Sequence, residues 1–360
     1  MKRLMCGLLL LLVMASASFG QYLVGARASG MGGAGVAACR DLSAAYYNPA
    51  ALMAQGKIGF MASGSVAYSG MDQLASALAN SGDPAKLVTD NFSKDMNVNG
   101  SFSGLIGANI NKIGLTLLPN VGVNISKPAN SLAANGEAGL MYTGVMTFGY
   151  TFGMPALLPS LNVGANLKYL GSTMGLVNVT ANPLGGAAGN QSVLNSTGVG
   201  VDLGALMTFD VPLVTSISVG AVIRDLAESI TTSGKTKTLT AAAGSSTYTQ
   251  GPDVDIPSSS RTTDSSFALG ASGTIPVVGI LLAGDLESGN GYSNTHLGLE
   301  YPLLLGLVTL RGGIASGTNL SLTTIGCKLG IPFLTLNAAY VMDGKISNNN
   351  SIVLDLAGGF

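Results

Sequence analysis

Hydrophobic and polar residues alternate along most of the chain after residue 57. In 161–169 the odd positions are apolar and the even positions carry Asn, Gly and Lys, and 199–207, 217–223 and 352–360 repeat this period of two. Such a period predicts β-strands with one apolar face. The polar face carries Gly, Ser, Asn and isolated charges, whereas a soluble β-sandwich would show many more Lys and Glu to water. The pattern therefore favours strands that face lipid on one side and a lumen on the other.

The alternation also sets the number of strands. Short connections, several of them with Pro, alternate with longer polar ones, as in barrels that have short periplasmic turns and long outer loops. We therefore predict an all-β fold, a 14-stranded antiparallel transmembrane β-barrel with an N-terminal plug, or hatch, inside its lumen. The predicted strands are 57–70, 97–110, 112–126, 137–152, 160–173, 196–210, 214–226, 264–275, 277–287, 293–303, 306–316, 319–330, 332–342 and 350–360.

Two of the longer connections have a character of their own. Residues 71–92 have helical periodicity, which predicts either a packing lid or a surface that receives an apolar ligand. Residues 227–263 are rich in Ser, Thr and Gly, and this composition predicts an exposed, mobile loop.

Composition supports a membrane protein that crosses the bilayer with strands. Of the 360 residues 47% are hydrophobic and only 10% are charged, and the mean hydropathy is +0.44, whereas about 25% of residues are charged in soluble domains. After residue 20 the longest apolar runs reach only half of the roughly 20 residues that a spanning helix needs. Because lipid admits only helices and closed barrels, a barrel is the remaining architecture. The net charge of −1 gives no reason to expect a nucleic-acid partner.

Both chain ends carry features of export to an outer membrane. Residues 1–20 combine the basic Lys2 and Arg3, an apolar stretch and small residues, which predicts a signal peptide cleaved between Gly20 and Gln21. The last strand ends on Phe360, and a terminal aromatic residue resembles the assembly signal of outer-membrane barrels. We therefore expect the protein in the outer membrane of a Gram-negative cell, surrounded by outer-membrane lipids.

Residues 25–52, GARASGMGGAGVAACRDLSAAYYNPAAL, differ from everything around them. Asp41 is placed to cap a short helix at 42–46, and Pro49 suits the first turn of a second one. A 14-stranded barrel is too wide for its own side chains to fill, so this segment is predicted to close it. We assign 1–20 to the signal peptide, 21–56 to the plug and 57–360 to the barrel. The predicted plug and gating residues are Gly30, Gly32, Gly33, Gly35, Asn48, Pro49 and Ala50.

Charged residues at the predicted inward positions carry both signs. Opposite charges favour paired networks that anchor the plug and hydrate the lumen, and a transport role for single residues is the alternative reading. The predicted lumen charges are Arg40, Asp41, Lys168, Asp202, Arg224, Asp285, His296, Glu300, Arg311, Lys328 and Asp355, to which Arg27 and Glu287 are added as further candidates for pairing.

Residues for enzyme chemistry are scarce. His296 is the one histidine and is predicted to face the lumen, whereas a lipid hydrolase would need its His and Ser together at the lipid face. After the signal peptide only Cys39 and Cys327 remain, and they are not expected to pair. One histidine and two separated cysteines give no metal site, and the glycine run lacks the sequence of a phosphate loop. We therefore predict no enzyme activity, no metal and no cofactor.

The pattern GxRAxGMGGAGVA…D…A.YYNPAAL resembles the plug region of the FadL/TodX outer-membrane transport superfamily, which also includes PorV-like and TraF-like barrels. In this resemblance Asn48, Pro49 and Ala50 match the Asn-Pro-Ala element of the plug. It implies a plugged 14-stranded barrel that binds or takes up hydrophobic small molecules, such as long-chain fatty acids, and releases them sideways through its wall. The alternative that it implies is a barrel that binds secretion-system proteins, as a structural part of a secretion or conjugation apparatus.

Overall fold

The structure is a computed structural model, which describes residues 23–70, 92–154, 159–211, 215–243, 245, 247–276, 278–318, 320–345 and 350–359. The predicted signal peptide at 1–20, all but the last residue of the predicted helical connection at 71–92, and the terminal Phe360 lie outside these residues. None of the helices in the described ranges is long and apolar enough to cross a bilayer.

The described strands form one antiparallel sheet that closes into a barrel. Each barrel strand pairs with its neighbour in sequence, β16 pairs with β1, and β10 pairs with β7. Because β8 and β9 attach to β7 outside the closed ring, 14 of the 16 strands form the barrel, which confirms the predicted number. The strands are β1 (Ile58–Ser69), β2 (Met96–Ile110), β3 (Ile113–Lys127), β4 (Ala133–Phe152), β5 (Leu161–Ala181), β6 (Ala187–Val211), β7 (Thr215–Ala241), β8 (Thr249–Gln250), β9 (Val254–Thr262), β10 (Ser266–Ile275), β11 (Ile280–Gly289), β12 (Tyr292–Leu303), β13 (Val308–Gly317), β14 (Ser321–Ile331), β15 (Leu334–Asp343) and β16 (Asn350–Gly359).

The wall is apolar outside and polar or small inside, as the alternation predicts. On β12 the outward-facing Leu297 and Leu299 are exposed, whereas the inward-facing His296 is buried. Cys327 also faces outward and is exposed. Since the backbone groups of a closed ring pair with neighbouring strands, the apolar belt of side chains can face lipid.

Two predicted loops are largely β-structure. β5, β6 and β7 have 21, 25 and 27 residues, although roughly 9–11 tilted residues suffice to span a bilayer. The predicted mobile loop at 227–263 instead contains the end of β7 and the paired strand β9. The segment 174–195, between the predicted strands 160–173 and 196–210, is mostly the β5–β6 hairpin. Ser and Thr side chains bond across the strands, as between Ser196 and Thr232 at 2.8 Å. Such cross-strand pairs stabilise a sheet even where its sequence is polar.

The plug lies inside the barrel and consists of short helices and turns. It contains α1 (Ala26–Gly30), α2 (Ala44–Tyr47) and a 3₁₀ helix (Pro49–Ala54). Helix α2 begins two residues later than predicted, because Asp41 accepts from the amide of Ser43 at 3.0 Å and so closes the turn before the helix. Pro49 opens the second helix as predicted, and this helix is 3₁₀ rather than α.

Candidate functional site

A belt of inward-facing glycines lets the plug backbone touch the wall of the barrel. At Gly204 a Cβ atom would overlap the side chain of Asn48, and at Gly313 it would overlap the backbone of Gly32, so these two positions require glycine. Across the belt, plug atoms lie where side chains would otherwise project. The belt has one glycine on each of the eight strands β4, β5, β6, β7, β10, β12, β13 and β14, namely Gly149, Gly164, Gly204, Gly220, Gly270, Gly298, Gly313 and Gly326.

Asn48 joins two parts of the plug to the wall. Its Nδ2 donates to the carbonyl of Val36 at 2.9 Å and to that of Ala205 on β6 at 3.1 Å, and its Oδ1 accepts from the amide of Ala50 at 3.0 Å. The side chain is fully buried. Pro49 packs against Gly204 of the belt. The Asn-Pro-Ala element therefore fixes the end of α2 and the start of the 3₁₀ helix in one position.

The glycine-rich turn of the plug is held by three strands of the opposite wall. Gly32 donates its amide to Thr324 of β14 at 3.0 Å, and its carbonyl lies 2.7 Å from Nδ1 of His296 on β12. Asp285 of β11 accepts from the amides of Gly35 at 2.7 Å and Val36 at 2.9 Å through Oδ2. Gly33, with φ of +85°, turns the chain between these contacts. Gly30 faces Gly326 of the belt.

A first ionic cluster joins α1 to the wall at β12–β16. Glu300 lies 3.0 Å from Nε of Arg27 in the plug and 2.8 Å from Nε of Arg311 on β13. Asp355 accepts from the amide of Ala26 at 2.7 Å. Asn337 links Asp355 to the ion pair of Glu300 with Arg311. Its Oδ1 accepts from Arg311 at 2.8 Å, and its Nδ2 donates to Asp355 at 2.5 Å.

A second cluster holds the end of α2. Arg224 of β7 donates to the carbonyls of Tyr46 at 3.1 Å and Tyr47 at 3.0 Å. The same guanidinium pairs with Glu287 of β11 at 2.9 Å, and Nε2 of His296 lies 3.7 Å from the other oxygen of Glu287. Glu287 thus links Arg224, which holds the end of α2, to His296, which contacts the glycine-rich turn.

A third cluster lies beside α2, on the side of the long hairpins. Lys168 of β5 is 2.8 Å from Asp202 and 3.3 Å from Glu228, and it also pairs with Asp225. Asn166 connects this cluster to the plug, since it donates to Asp202 at 2.9 Å and to the carbonyl of Ala45 at 2.8 Å.

Alternation along β7 could not show that Asp225 belongs to this cluster, and Glu228, although it has the inward parity of Arg224, lies in the segment predicted as a loop. Asp225 has φ of +58° and Ala227 has φ of +56°, and the register of β6 against β7 shifts at Val199–Leu203. This irregularity turns Asp225 toward Lys168, although strict alternation would point it outward. Asn166, Thr324 and Asn337 were missed for another reason, because an uncharged polar residue at an inward position has no distinctive signal in the sequence.

The remaining predicted charges lie near the end with the short turns. Arg40 donates to the carbonyls of Ala37 at 3.0 Å and Cys39 at 2.6 Å, and to Ser218 of β7 at 3.0 Å. Lys328 is half-buried on the inner face of β14, and no ion pair joins it to another described residue. Among the described residues no group of three or more His, Cys, Asp or Glu side chains could hold a metal ion.

The plug meets β1–β4 differently. The plug–wall hydrogen bonds described above all end on β5–β16, and one further bond reaches β2, where Asn109 donates to the carbonyl of Gly56 at the end of the plug at 3.0 Å. Otherwise Met61, Leu105, Leu118 and Val145 of β1–β4 form one apolar cluster with the plug. Leu42 and Leu52 are the largest aliphatic side chains that the plug contributes to this cluster, together with the aromatic Tyr47. We call this contact the apolar seam, and its residues are Leu42, Leu52, Met61, Leu105, Leu118 and Val145.

The wall is interrupted close to the apolar seam. Pairing of β2 with β3 stops between Ser103↔Asn120 and Ile106↔Leu117, where Pro119 lies in β3, because proline has no N–H to donate to the ladder. On the outer surface a recess of about 500 Å³ opens over Gly144. Its lining is mostly apolar and includes Leu117, Met146 and Tyr169.

The fold matches solved outer-membrane channels. The toluene transporter TbuX of Ralstonia pickettii is 14% identical with a TM-score of 0.60, covering 95% of this chain and 100% of that one. The toluene transporter TodX of Pseudomonas putida is 12% identical with a TM-score of 0.63, covering 96% and 100%. A FadL homologue of Pseudomonas aeruginosa is 11% identical with a TM-score of 0.56, covering 95% and 99%. No family model and no curated protein sequence matches the chain. The chain therefore has the fold of the FadL/TodX channels.

Proposed function

We propose that the protein is a channel of the Gram-negative outer membrane that takes up apolar small molecules. The observation that carries this proposal is the unequal attachment of the plug, which makes many hydrogen bonds as well as apolar contacts to β5–β16 but mainly apolar contacts to β1–β4. The fold adds support, because two channels that share it are named for toluene transport.

The difference between the two halves sets where a path can open. Separating the plug from β5–β16 would leave buried donors and acceptors unpaired, at about 1–3 kcal/mol for each group. An apolar ligand that enters the apolar seam replaces one apolar contact with another and leaves no polar atom unpaired. The seam between Leu52 and Leu118 is therefore the side on which a ligand can pass while the plug stays anchored.

The wall beside the seam offers a sideways exit. The strands that line the seam include β2 and β3, whose ladder is interrupted at Pro119, and the recess over Gly144 faces the lipid. A molecule that leaves here enters the hydrocarbon of the membrane and avoids the aqueous periplasm. This route suits a ligand that is poorly soluble in water, and it follows the sideways release that the sequence resemblance implies.

The alternative role, as a structural part of a secretion or conjugation apparatus, has no specific observation in its favour. Of the three solved structures described above, two are named as toluene transporters and the third as a FadL homologue. Residues 21–56 as the plug unit, cleavage after Gly20 and gating by the Asn-Pro-Ala element remain parts of this proposal.

A disulfide across the seam tests the proposal. We would replace Cys39 and Cys327 with Ala and introduce Leu52→Cys with Gly114→Cys, since a Cβ atom at Gly114 would lie 3.5 Å from the Cδ1 methyl of Leu52. The control pair, Ala34→Cys with Ala283→Cys, links the plug to β11 on the hydrogen-bonded half, where both residues share an apolar cluster.

Uptake of labelled toluene by cells is then compared before and after reduction. We expect the seam disulfide to abolish protein-dependent uptake until it is reduced, and the control disulfide to leave uptake within twofold of the parent. The proposed route would be refuted if uptake continued while the seam disulfide is formed. It would also be refuted if the control disulfide stopped uptake to the same extent.

A further inference from the structure

The cations at the outer side of the plug are already neutralised by wall carboxylates. Lys168 is surrounded by Asp202 at 2.8 Å, Glu228 at 3.3 Å and Asp225. Its side chain is only 10% exposed. The ammonium group therefore has its charge compensated more than once before any ligand arrives.

Arg224, the second cation on this side, is equally engaged. Its guanidinium donates to Glu287 and to the carbonyls of Tyr46 and Tyr47, with all three distances between 2.9 and 3.1 Å. A guanidinium that already holds one carboxylate and two carbonyls has few donors left for another anion. Releasing it would also free the end of α2.

We call the side of the plug on which these groups lie the outer vestibule, defined by Lys168, Asp202, Arg224, Asp225, Glu228 and Glu287. Within the described residues it sets two permanent cations against four carboxylates. His296 adds a positive charge only when it is protonated. A carboxylate that enters would lose hydration and meet an excess of negative charge, whereas an uncharged molecule would not.

Building on the proposed function, we propose that the outer vestibule selects uncharged apolar molecules and rejects carboxylates, and that Asp225 and Glu228 set this preference. Rejection arises from repulsive groups placed against the wrong ligand, which is a common way to gain specificity. The substrates are then hydrocarbons or neutral alcohols and esters, and fatty-acid anions are excluded. The irregularity in β7 contributes to this selectivity, because it turns Asp225 inward.

Matched ligand pairs test this selectivity. The chain has no Trp, so a single Tyr46→Trp substitution provides a fluorescent reporter next to Arg224. Binding of toluene is compared with that of benzoate, and 1-dodecanol with dodecanoate, at pH 8 in lipid nanodiscs. We expect the neutral member of each pair to bind at least tenfold more tightly than its carboxylate.

The decisive variant is Asp225→Asn with Glu228→Gln in the reporter background. Asn tolerates the positive φ at residue 225, and the change leaves Lys168 with Asp202 alone. We expect carboxylate affinity to rise at least tenfold and neutral affinity to change less than twofold, and we expect Lys168→Gln to remove the gain.

Each outcome separates this inference from the proposed function. Equal affinity of the parent for neutral and carboxylate ligands, or no gain in the double variant, would overturn the selectivity while leaving the channel proposal intact. Failure of both neutral ligands to bind would refute the proposed function itself. If the double variant does not assemble, Glu228→Gln alone provides the same comparison with a smaller expected gain.

Discussion

Glu300 of β12 pairs with Arg27 of the plug, with Oε2 3.0 Å from the Nε atom of that arginine. The two residues are 273 positions apart in the chain. The pair ties α1 to a part of the wall that forms only when the last strands of the barrel are in place. Seating of the plug is therefore coupled to completion of the barrel.

Glu300→Gln is expected to loosen the plug by about 3 kcal/mol, because removing one partner of a buried ion pair leaves the other charge uncompensated. Arg27 and Arg311 would then face each other without a shared carboxylate. Thermal unfolding and ion conductance in planar bilayers measure the effect. Adding Arg27→Gln should recover part of the loss, and an equal loss in the single and double variants would contradict the ion-pair explanation.

Gly313→Ala is expected to unseat the plug while the barrel still forms. A Cβ at residue 313 overlaps the plug backbone at Gly32. The neighbouring Gly312 faces outward, with its nearest contact at 3.9 Å, so Gly312→Ala is a matched control. Single-channel recording should show larger and longer openings for Gly313→Ala and parent behaviour for Gly312→Ala. A Gly313→Ala barrel whose conductance equals that of the parent would show that the plug adapts to the added atom.

Asn48→Asp is expected to change uptake without preventing barrel assembly. The substitution removes the donor to Val36 and Ala205 and places a carboxylate against their carbonyls. Loss of buried hydrogen bonds of this kind costs about 1–3 kcal/mol each. Heat-modifiable migration on gels reports assembly, and toluene uptake reports function. Absence of the folded species would indicate that the Asn-Pro-Ala element serves folding only.

Cys39 offers a probe of plug release. Burial, followed in size by the charge of Asp41, raises the pKa of this thiol to about 12, so the thiol stays protonated at neutral pH, and less thiolate forms than at an ordinary pKa of about 8.5. Maleimide labelling at Cys39 in a Cys327→Ala background should therefore remain slow from pH 7 to pH 9. Labelling should become fast in Gly313→Ala, where the plug is unseated. Rapid labelling of the parent would show that the plug opens on its own.

The sequence predicted the architecture because each part of it has a local signal. The period of two identifies a strand wherever lipid lies on one side. It also gives the orientation of β12, on which the apolar Leu297, Leu299 and Tyr301 alternate with the polar His296 and Glu300. The glycine cluster and Asn48-Pro49 mark the plug, since tight turns and close contacts limit the residues that fit.

Other features depend on contacts between distant segments and have no local signal. The polar ends of β6 and β7 resemble loops until they pair with each other, and Asp225 faces the lumen only because β7 departs from its register. The apolar seam joins Leu42 and Leu52 of the plug to Leu118 of β3, and no periodicity within one strand shows which inward residues will meet the plug.

Native mass spectrometry of protein extracted gently from its own outer membrane tests the central claim most directly. Our account predicts one uncharged apolar molecule per barrel, lost when the Leu52→Cys and Gly114→Cys pair is oxidised. A barrel that carries no small molecule and is instead bound to a stoichiometric protein partner would contradict it, and the plug would then serve only to keep the barrel shut.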